Sequence, residues 1–483
     1  MMKKNKINLW LFFLPIILLS SCDNELDQSP FDSLQTDKAF ITASDFENGI
    51  RGAYFALTLG GYYGSADQGS MLSMPDVLSD NVIMTQRGRF TKRNLHEFTY
   101  TQASTITSFY NDAYNVIYSA NQVLYYLDMN DFQGPSRENI KAEALALRAF
   151  AHFDLVRVYG KIPTQSSDAN ASLGVGYVTE PDPWVTPSRL TVAETYDAIL
   201  EDLLEAYDKI DSDNGIGRFN KETVALLLSR VYLYMGGEEN YQKCVDYANE
   251  VTTPIASRED VKEIWTDEKD SGLLFYITNL AGAGELNNQI GITWGQGPVD
   301  GIVPEYAVTF EFMNKFSEDD IRRESYTHTV SGSGQTYNGI KKLFGKPGQF
   351  NGIVNYKILR AEEALLNKTE ALFFLGREAE ALNALNQLRD ERYTSYSGGE
   401  SGNGLLEAIK LERRLEFAFE YQRFFDLKRW GDDMIRQATG DLVDGSGTPS
   451  AALSLEAGDH KWQLPFFQQM LARNPNLVQN PGY

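Results

Sequence analysis

Residues 105–160 read TITSFYNDAYNVIYSANQVLYYLDMNDFQGPSRENIKAEALALRAFAHFDLVRVYG, and this stretch determines the predicted fold class. Apolar residues from Phe109 to Leu124 recur at spacings of three and four, which predicts an amphipathic helix. A Gly-Pro pair at 134–135 interrupts the pattern, and a second apolar series then continues to Tyr159. The stretch therefore predicts two long helices joined by a short turn, which is a helical hairpin.

The same pattern returns along the chain and predicts a mainly α-helical fold. Small alanines, large apolar residues and turn glycines in about four hairpins resemble tetratricopeptide units, although the repeat of roughly 34 residues is only loosely kept. An earlier helix is predicted from Ser44, which forms a candidate capping box with Glu47. The further helices are predicted at 191–210, 220–235, 241–251, 356–375 and 378–393, so the scaffold is expected mainly over 105–160, 191–252 and 356–431.

Long segments of a different composition separate these helices. Residues 60–100 and 270–352 are rich in Gly, Ser, Asn, Tyr and Pro. Loops of this length in a compact domain are usually functional or disordered, and the Trp, Tyr and Phe residues within them argue against disorder. We therefore expect an irregular, loop-rich ligand-binding subdomain built mainly from these two segments.

The first residues have the features of a bacterial lipoprotein signal. Three lysines precede the apolar stretch 7–19, which is shorter than the roughly 20 residues that a membrane-spanning helix needs. The stretch ends in Leu-Ser-Ser-Cys at 19–22, which resembles a lipobox, so Cys22 is the predicted lipidation site. The predicted organisation is a signal peptide over 1–21, a lipidated tether over 22–44 and one domain over 45–483.

Charge and cysteine content exclude several classes of protein. The formal net charge is −22, and the predicted signal carries only lysine charges, so the mature chain is more acidic still. Such a surface repels phosphate backbones, and nucleic acid is therefore not an expected partner. Lipidation of Cys22 leaves Cys244 without an intrachain partner, so we expect Cys244 to be a buried, unreactive thiol.

Motifs of catalysis are absent from the sequence. The four histidines at positions 96, 152, 328 and 460 are scattered, and neither a zinc-binding H-E-x-x-H nor a nucleophile G-x-S-x-G is present. We therefore predict no metal site, no cofactor and no enzymatic activity.

Three glutamates on one predicted helix face are the strongest argument for acid–base chemistry. Glu412, Glu416 and Glu420 follow one another at a spacing of four, and paired carboxylates can hydrolyse glycosidic bonds. Like charges at this spacing repel each other unless cations neutralise them. We expect a structural arginine–glutamate network, with cations from the nearby Arg413, Arg414 or Arg423.

Three separated blocks carry a resemblance to a known family. They are KAEALALRAFAHFDLVRVYG at 141–160, RAEEALLNKTEA at 360–371 and ERRLEFAFEYQRFFDLKRWG at 412–431. Together with both chain ends, they resemble the SusD/RagB family of nutrient-binding outer-membrane lipoproteins, with Glu362 and Thr369 as mild departures from alanine.

The resemblance implies a helical fold with four tetratricopeptide units and an irregular ligand-binding half. It also implies a non-catalytic, cell-surface protein of the outer membrane, anchored through Cys22. Such a protein captures an oligosaccharide, or in some relatives a peptide, and delivers it to a SusC-like TonB-dependent transporter.

Candidate ligand-binding residues are those of the loop segments whose side chains suit sugars. Aromatic rings pack on the C–H faces of sugar rings, while amides, carboxylates and guanidinium groups bond the hydroxyls. Trp294 is the strongest candidate because its glycine-rich surroundings would leave the ring face open, whereas Trp184, next to Pro183, is interpreted as loop packing. The other candidates are Tyr62, Tyr63, Tyr306, Tyr337, Asp80, Asn81, Arg87, Asn287 and Asn288.

Three alternatives to glycan capture stay open at the level of sequence. Peptide capture by the same fold would favour polar, backbone-directed groups and few coplanar rings. A surface glycoside hydrolase would need two carboxylates that face each other across a cleft. A pure helical scaffold would present an apolar concave groove without polar groups.

Overall fold

The computed structural model describes residues 39–64, 70–104, 106–130, 132, 136–279, 294, 303–343, 345 and 353–483. Most of the regular structure in these residues is helical, which confirms the predicted fold class. The long helices are α1 (Ala43–Ala56), α2 (Phe109–Met129), α3 (Ser136–Tyr159), α4 (Val192–Lys209), α5 (Lys221–Met235), α6 (Glu238–Asn249), α7 (Ala361–Phe374), α8 (Glu378–Asp390), α9 (Asn403–Glu416) and α10 (Arg423–Trp430). One-turn to two-turn helices lie at Met74–Val77, Arg93–His96, Val261–Ile264, Phe310–Met313, Ile321–Tyr326 and Gln468–Arg473, with a π-helix at Gly60–Gly64 and 3₁₀ turns at Ala169–Ala171 and His460–Trp462.

The strands form small two-stranded sheets. They are β1 (Val82–Met84), β2 (Leu273–Ile277), β3 (Tyr306–Val308), β4 (Thr327–Gly332), β5 (Gln335–Ile340), β6 (Tyr356–Arg360), β7 (Met434–Ile435) and β8 (Ser454–Leu455). The antiparallel pairs in the described residues are β1 with β3, β2 with β6, β4 with β5, and β7 with β8.

Successive long helices pack against one another from α1 to α8. Helices α4 and α5 begin at capping boxes, where Thr191 and Asn220 accept hydrogen bonds from the third residue of the helix. Helix α5 ends at Gly236, whose positive φ of 68° turns the chain towards α6. The predicted hairpin at 105–160 and the predicted helix at 378–393 are present, the latter as α8, and the assignment of tetratricopeptide units stays a prediction.

Two local predictions are wrong. Helix α1 is capped by Thr42 together with Asp45, and the predicted cap Ser44 lies inside the first turn. Residues Tyr356–Arg360 form strand β6 rather than the start of a helix, since they pair with β2, a segment about 80 residues earlier. A strand partner so distant leaves no trace in a local helical pattern.

The predicted network of glutamates and arginines is present and buried. Glu416 bonds Arg392 (Nε–Oε2, 2.9 Å) and Arg360 (Nη1–Oε1, 3.1 Å). Glu420 also bonds Arg360 (Nη2–Oε1, 2.8 Å), and Glu412 bonds Arg322 (2.8 Å). The cations therefore come from β6, from the turn after α8 and from the helix Ile321–Tyr326, and not from the predicted neighbours in sequence.

Those neighbouring arginines pair with other carboxylates. Arg413 bonds Asp426 (2.8 Å), and Arg423 bonds Asp80 (2.8 Å). The three glutamates are thus enclosed and paired, which agrees with a structural role. Cys244 is buried as predicted, and burial raises the pKa of its thiol. In the described part of the chain, no helix is both long and apolar enough to cross a membrane.

Candidate functional site

A groove runs between the N-terminal half of α2, the loop 178–187 and the C-terminal segment 467–477. Its volume is about 490 Å³. Known small-molecule sites have volumes of about 300–1,000 Å³. The groove is therefore large enough for a ligand of a few sugar rings, and its three walls come from parts of the chain far apart in sequence.

The wall on α2 is a row of three tyrosines. Tyr110, Tyr114 and Tyr118 are four residues apart, so they share one helix face with a rise of about 6 Å between successive residues. Their exposure increases along the helix: Tyr110 and Tyr114 are half-buried, with ring centroids 4.8 Å apart, and Tyr118 is 36% exposed. The opposite face of α2, with Ala113 and Val116, packs into the core.

The inner two tyrosines are held in place. Tyr110 packs edge-on against Tyr159 (5.4 Å between centroids), and the Tyr114 hydroxyl donates to the Gly176 carbonyl (2.9 Å). Burial raises the pKa of Tyr110 to about 12 and that of Tyr114 also, so both hydroxyls are neutral at physiological pH. The tyrosine face is therefore rigid and uncharged.

The loop wall is fastened to the helices on its inner side. The Asn121 amide donates to the carbonyls of Val178 (2.9 Å) and Glu180 (3.4 Å), and Gln122 donates to the Pro181 carbonyl (3.3 Å). These bonds satisfy loop carbonyls that have no secondary-structure partner. They fix the loop relative to the tyrosine row.

The C-terminal segment holds the far end of the same loop. Asn474 donates to the Pro187 carbonyl (2.9 Å), and Asn476 donates to the Thr186 carbonyl (2.8 Å). Between the two fastened ends, the Asp182 carboxylate accepts from the Trp184 backbone amide (2.8 Å), and the Trp184 side chain is 87% exposed. The fastened loop thus lines the groove with Pro183 and Val185, while the indole ring of Trp184 between them is exposed and is not part of the lining.

Free polar groups accompany these rings. Asn111, Asn115, Gln469 and Arg473 line the groove, and within the described part of the chain their side chains have no hydrogen-bond or ion-pair partner. Glu180 also lines the groove, and its carboxylate has no hydrogen-bond or ion-pair partner among the described residues. Open aromatic faces beside unpaired amides and charged groups are the combination that binds sugar rings and their hydroxyls.

The predicted pair Tyr62 and Tyr63 lies in the core instead of on a surface. Both hydroxyls donate to the Asp154 carboxylate at 2.9 Å, and the stacked rings are 4.6 Å apart. Asp154 also pairs with Arg157, so the tyrosines belong to the buried scaffold. The expectation of open ring faces is wrong here, because the π-helix Gly60–Gly64 turns both rings inwards.

The other predicted aromatic residues are also enclosed. Tyr306 on β3 is buried and donates to the Thr91 carbonyl (2.7 Å), and Tyr337 on β5 is buried. Trp294 is 1% exposed and packs edge-on against Tyr306, with centroids 6.1 Å apart. The expected open face of Trp294 is therefore covered.

The predicted polar residues separate into three groups. Asp80 pairs with Arg423, and Asn81 accepts from Arg414 (Nε–Oδ1, 2.9 Å), so both stabilise the fold. Arg87 is exposed and donates to the Ser333 carbonyl. Asn287 and Asn288 lie outside the described residues. Ligand contact by the residues predicted from sequence stays a prediction, and among the described ones the exposed side chain of Arg87 is accessible to a ligand.

A smaller cavity of about 260 Å³ does lie in this predicted region. Phe90, Arg93 and His96 are among the residues that line it. Its described lining includes no residue of the predicted set. In the described residues, no cluster of three or more His, Cys, Asp or Glu side chains could hold a metal ion.

Sequence reasoning missed the groove because its parts look ordinary locally. Tyr110 and Tyr114 fit the apolar face of a helix, and Trp184 between prolines is typical of loop packing. Its exposure shows that the packing interpretation of Trp184 is wrong. The available signal was the repetition of tyrosine at a spacing of four, which places Tyr118 beyond the core-facing stripe.

Family models match both halves of the chain. A model described as "Starch-binding associating with outer membrane" matches residues 26–233, and the SusD family model matches residues 291–483. Among curated relatives, SusD-like protein P2 of Formosa agariphila is 25% identical over the whole of both chains. A SusD-like protein of Bacteroides ovatus is 25% identical over 66% of this chain and 64% of its own length.

Solved structures that resemble this chain include proteins of the same family as these curated relatives. A SusD superfamily protein from Bacteroides thetaiotaomicron has a TM-score of 0.79 and 26% identity, and covers 91% of this chain and 100% of its own. A protein from Bacteroides vulgatus, described as a candidate sugar-binding protein, has a TM-score of 0.80 and 25% identity over 92% and 99% of the two chains. The helical stack and these matches together establish that the chain belongs to the SusD/RagB family.

Proposed function

We propose that this protein binds an oligosaccharide in the groove between α2, the loop 178–187 and the C-terminal segment. The observation that carries the proposal is the rigid tyrosine row, open to solvent at Tyr118, beside unpaired amides that line the same groove. Apolar ring faces attract the C–H faces of sugars, and amides bond the hydroxyls that remain. A family model described as starch-binding and a structural relative described as a candidate sugar-binding protein support this ligand class.

Binding without chemical change is part of the proposal. Glu412, Glu416 and Glu420 are buried in ion pairs, so they do not face a cleft. In the groove, Asp182 is engaged by the Trp184 amide, which leaves Glu180 as its unengaged carboxylate among the described residues. Glycoside hydrolysis uses two carboxyl groups on opposite sides of the scissile bond. We therefore propose capture, not hydrolysis.

The family and the predicted lipobox support a proposal for the cellular role. We propose that acyl chains on Cys22 hold the protein at the outer membrane with the domain at the cell surface. Each buried methylene contributes about 0.8 kcal/mol to membrane binding, so several acyl chains give a stable anchor. The captured oligosaccharide would then pass to a SusC-like TonB-dependent transporter as its partner.

The test is calorimetric titration of the mature chain lacking Cys22 against a panel of oligosaccharides, with reducing-end release followed in the same samples. We expect heat with at least one glycan and no release. Tyr118→Ala and Asn115→Ala should each weaken binding about fivefold or more, which corresponds to about 1 kcal/mol. Tyr125→Ala is the matched control, because Tyr125 is an exposed tyrosine of the same helix outside the groove.

Other outcomes separate the alternatives. Release of reducing ends would overturn the non-catalytic proposal. Glycan binding that survives both groove variants but is weakened by Arg87→Ala would move the site to the loop region predicted from sequence. Binding of peptides and of no glycan would replace the ligand class.

A further inference from the structure

The charged side chains of the groove are few and unbalanced. Among the described residues that line it, Glu180 and Asp182 are negative and Arg473 is positive. The remaining lining residues are neutral, including the tyrosine row and the amides of Asn111 and Asn115. The groove itself therefore has a slight excess of negative charge and a single guanidinium group that can reach a ligand.

A second guanidinium lies close behind the tyrosines but is already engaged. Arg189 is buried, and it donates to the carbonyls of Gly174 (2.7 Å), Leu173 (2.7 Å) and Val478 (3.0 Å). A buried donor whose bonds are made in the fold gains nothing by turning to a ligand. Arg189 therefore supports the wall without providing a site for an anion.

The surrounding protein adds to the same electrostatic bias. The chain has 66 acidic and 44 basic residues. At physiological ionic strength, mobile ions screen charges more than about 8 Å away, so the groups that line the groove dominate its electrostatic potential. At low ionic strength, the charges of the whole surface contribute to this potential as well. At both physiological and low ionic strength, the electrostatic potential around the groove therefore opposes the approach of an anionic chain.

A glycan with a carboxylate or sulfate on each repeat would meet an unfavourable environment in this groove. Its successive charges would lose hydration, and Arg473 could compensate only one of them. An uncharged oligosaccharide bears no such cost, because its hydroxyls can donate to carboxylates and to amide oxygens and can accept from amide N–H groups. The difference in free energy therefore favours the uncharged ligand.

We propose that this groove takes uncharged oligosaccharides and rejects glycans that carry a carboxylate or sulfate on each repeat. The inference rests on the proposed function, since it assigns the ligand class of the same groove. It concerns charge alone and leaves sugar identity and linkage to the contacts along the tyrosine row.

The experiment compares hexasaccharides of equal length by calorimetry with the mature chain lacking Cys22. The neutral probes are gluco-, xylo- and manno-hexaoses, and the anionic probes are hexagalacturonate and a chondroitin sulfate hexasaccharide. We expect every anionic probe to bind at least about tenfold more weakly than the best neutral probe. Raising NaCl from about 20 mM to about 300 mM should strengthen anionic binding and leave neutral binding unchanged within about twofold, because salt screens only charge.

Charge variants test the residues that cause the selection. Glu180→Gln should raise the ratio of anionic to neutral affinity about twofold to fivefold, and Arg473→Gln should lower it by a similar factor. Glu201→Gln, the same substitution on the exposed surface of α4 outside the groove, should leave the ratio unchanged. The ratio is measured within each variant, so a general loss of affinity does not affect it.

The outcomes distinguish this inference from the proposed function. An anionic probe that binds as tightly as the best neutral probe would overturn the charge selection and leave glycan capture intact. A ratio of anionic to neutral affinity that is unchanged in both Glu180→Gln and Arg473→Gln would overturn the assignment to this groove. The absence of binding by every glycan would overturn both proposals together.

Discussion

Arg392 and Glu416 form an ion pair from which water is excluded: Arg392 Nε lies 2.9 Å from Glu416 Oε2, and both side chains are fully buried. The pair joins the turn after α8 to the last residue of α9, and it is the centre of a network that also includes Arg360 and Arg322. Burial alone would raise the pKa of Glu416, but the positive charges of Arg392 and Arg360 outweigh burial and hold this pKa well below its usual value.

Glu416→Gln should therefore destabilise the protein strongly. The substitution leaves several buried cations without their shared carboxylate, and breaking a buried pair in this way costs about 3–5 kcal/mol. Urea unfolding followed by circular dichroism measures the loss. Glu239→Gln is the matched control, since its pair with Lys243 is exposed to solvent and should contribute far less to stability than the buried pair. Equal effects of the two substitutions would refute the structural importance of the network.

Asp76 should make stability decrease between mildly acidic and neutral pH. Burial raises the pKa of this carboxyl to about 7, against an unfolded value near 4. The folded state thus holds a proton that the unfolded state releases, and stability falls by up to about 1.4 kcal/mol per pH unit between these two values.

Asp76→Asn should remove this slope, because the amide cannot ionise and its oxygen can still accept from the Tyr421 backbone amide, as Asp76 does at 2.9 Å. Free energies of unfolding at intervals from about pH 4 to pH 8 provide the measurement. The exposed Asp213→Asn serves as the control, and an unchanged slope in Asp76→Asn would contradict the assignment.

Asn476→Ala should weaken glycan binding with little effect on stability. Its amide fixes the Thr186 carbonyl at the end of the groove loop. Without this bond the loop is less well positioned, so the binding free energy should weaken by about 1 kcal/mol and Kd should rise roughly fivefold. Calorimetry and thermal unfolding measure the two effects separately. Asn386→Ala loses an exposed bond to the Gly398 carbonyl and one from Arg389, both distant in sequence from the groove loop, and should leave Kd unchanged. Equal affinities of wild type and Asn476→Ala would show that this bond does not position the loop.

The Cys244 thiol should be unreactive in the folded protein. It is buried, and burial raises its pKa, so little thiolate is available at neutral pH. With Cys22 removed, a chromogenic disulfide reagent should detect no thiol in buffer and one thiol per chain in concentrated urea. Rapid labelling in buffer, at the rate of the unfolded chain, would disprove the buried placement.

Cys22→Ala should release the protein from the membrane. The predicted lipobox directs acylation to this cysteine, so the variant should not incorporate labelled palmitate and should leave the membrane fraction. Ser21→Thr, a change that keeps the cysteine, should still be labelled. Membrane association of Cys22→Ala equal to that of wild type would rule out this anchor.

The helical scaffold was predictable because helix periodicity and capping are local properties. The recurrence of apolar residues along 105–160 identified α2 and α3, and Thr191 and Asn220 stand at real helix starts. The structural role of Glu412, Glu416 and Glu420 was predictable as well, since closely spaced like charges require cations, but the expectation that all three share one helix face is wrong, because α9 ends at Glu416 and Glu420 lies in the turn beyond it. The capture function and its partner came from resemblance to a family, and not from the pattern of residues.

Pairing and exposure depended on the tertiary structure. The cations that neutralise Glu416 come from Arg322, Arg360 and Arg392, between 24 and 94 residues away in sequence. The same long-range packing encloses Tyr62 and leaves Trp184 open, although both lie in segments with similar composition. Periodicity reports which face of an element is apolar, but burial and charge pairing depend on which distant element covers that face, and only the folded chain brings those elements together.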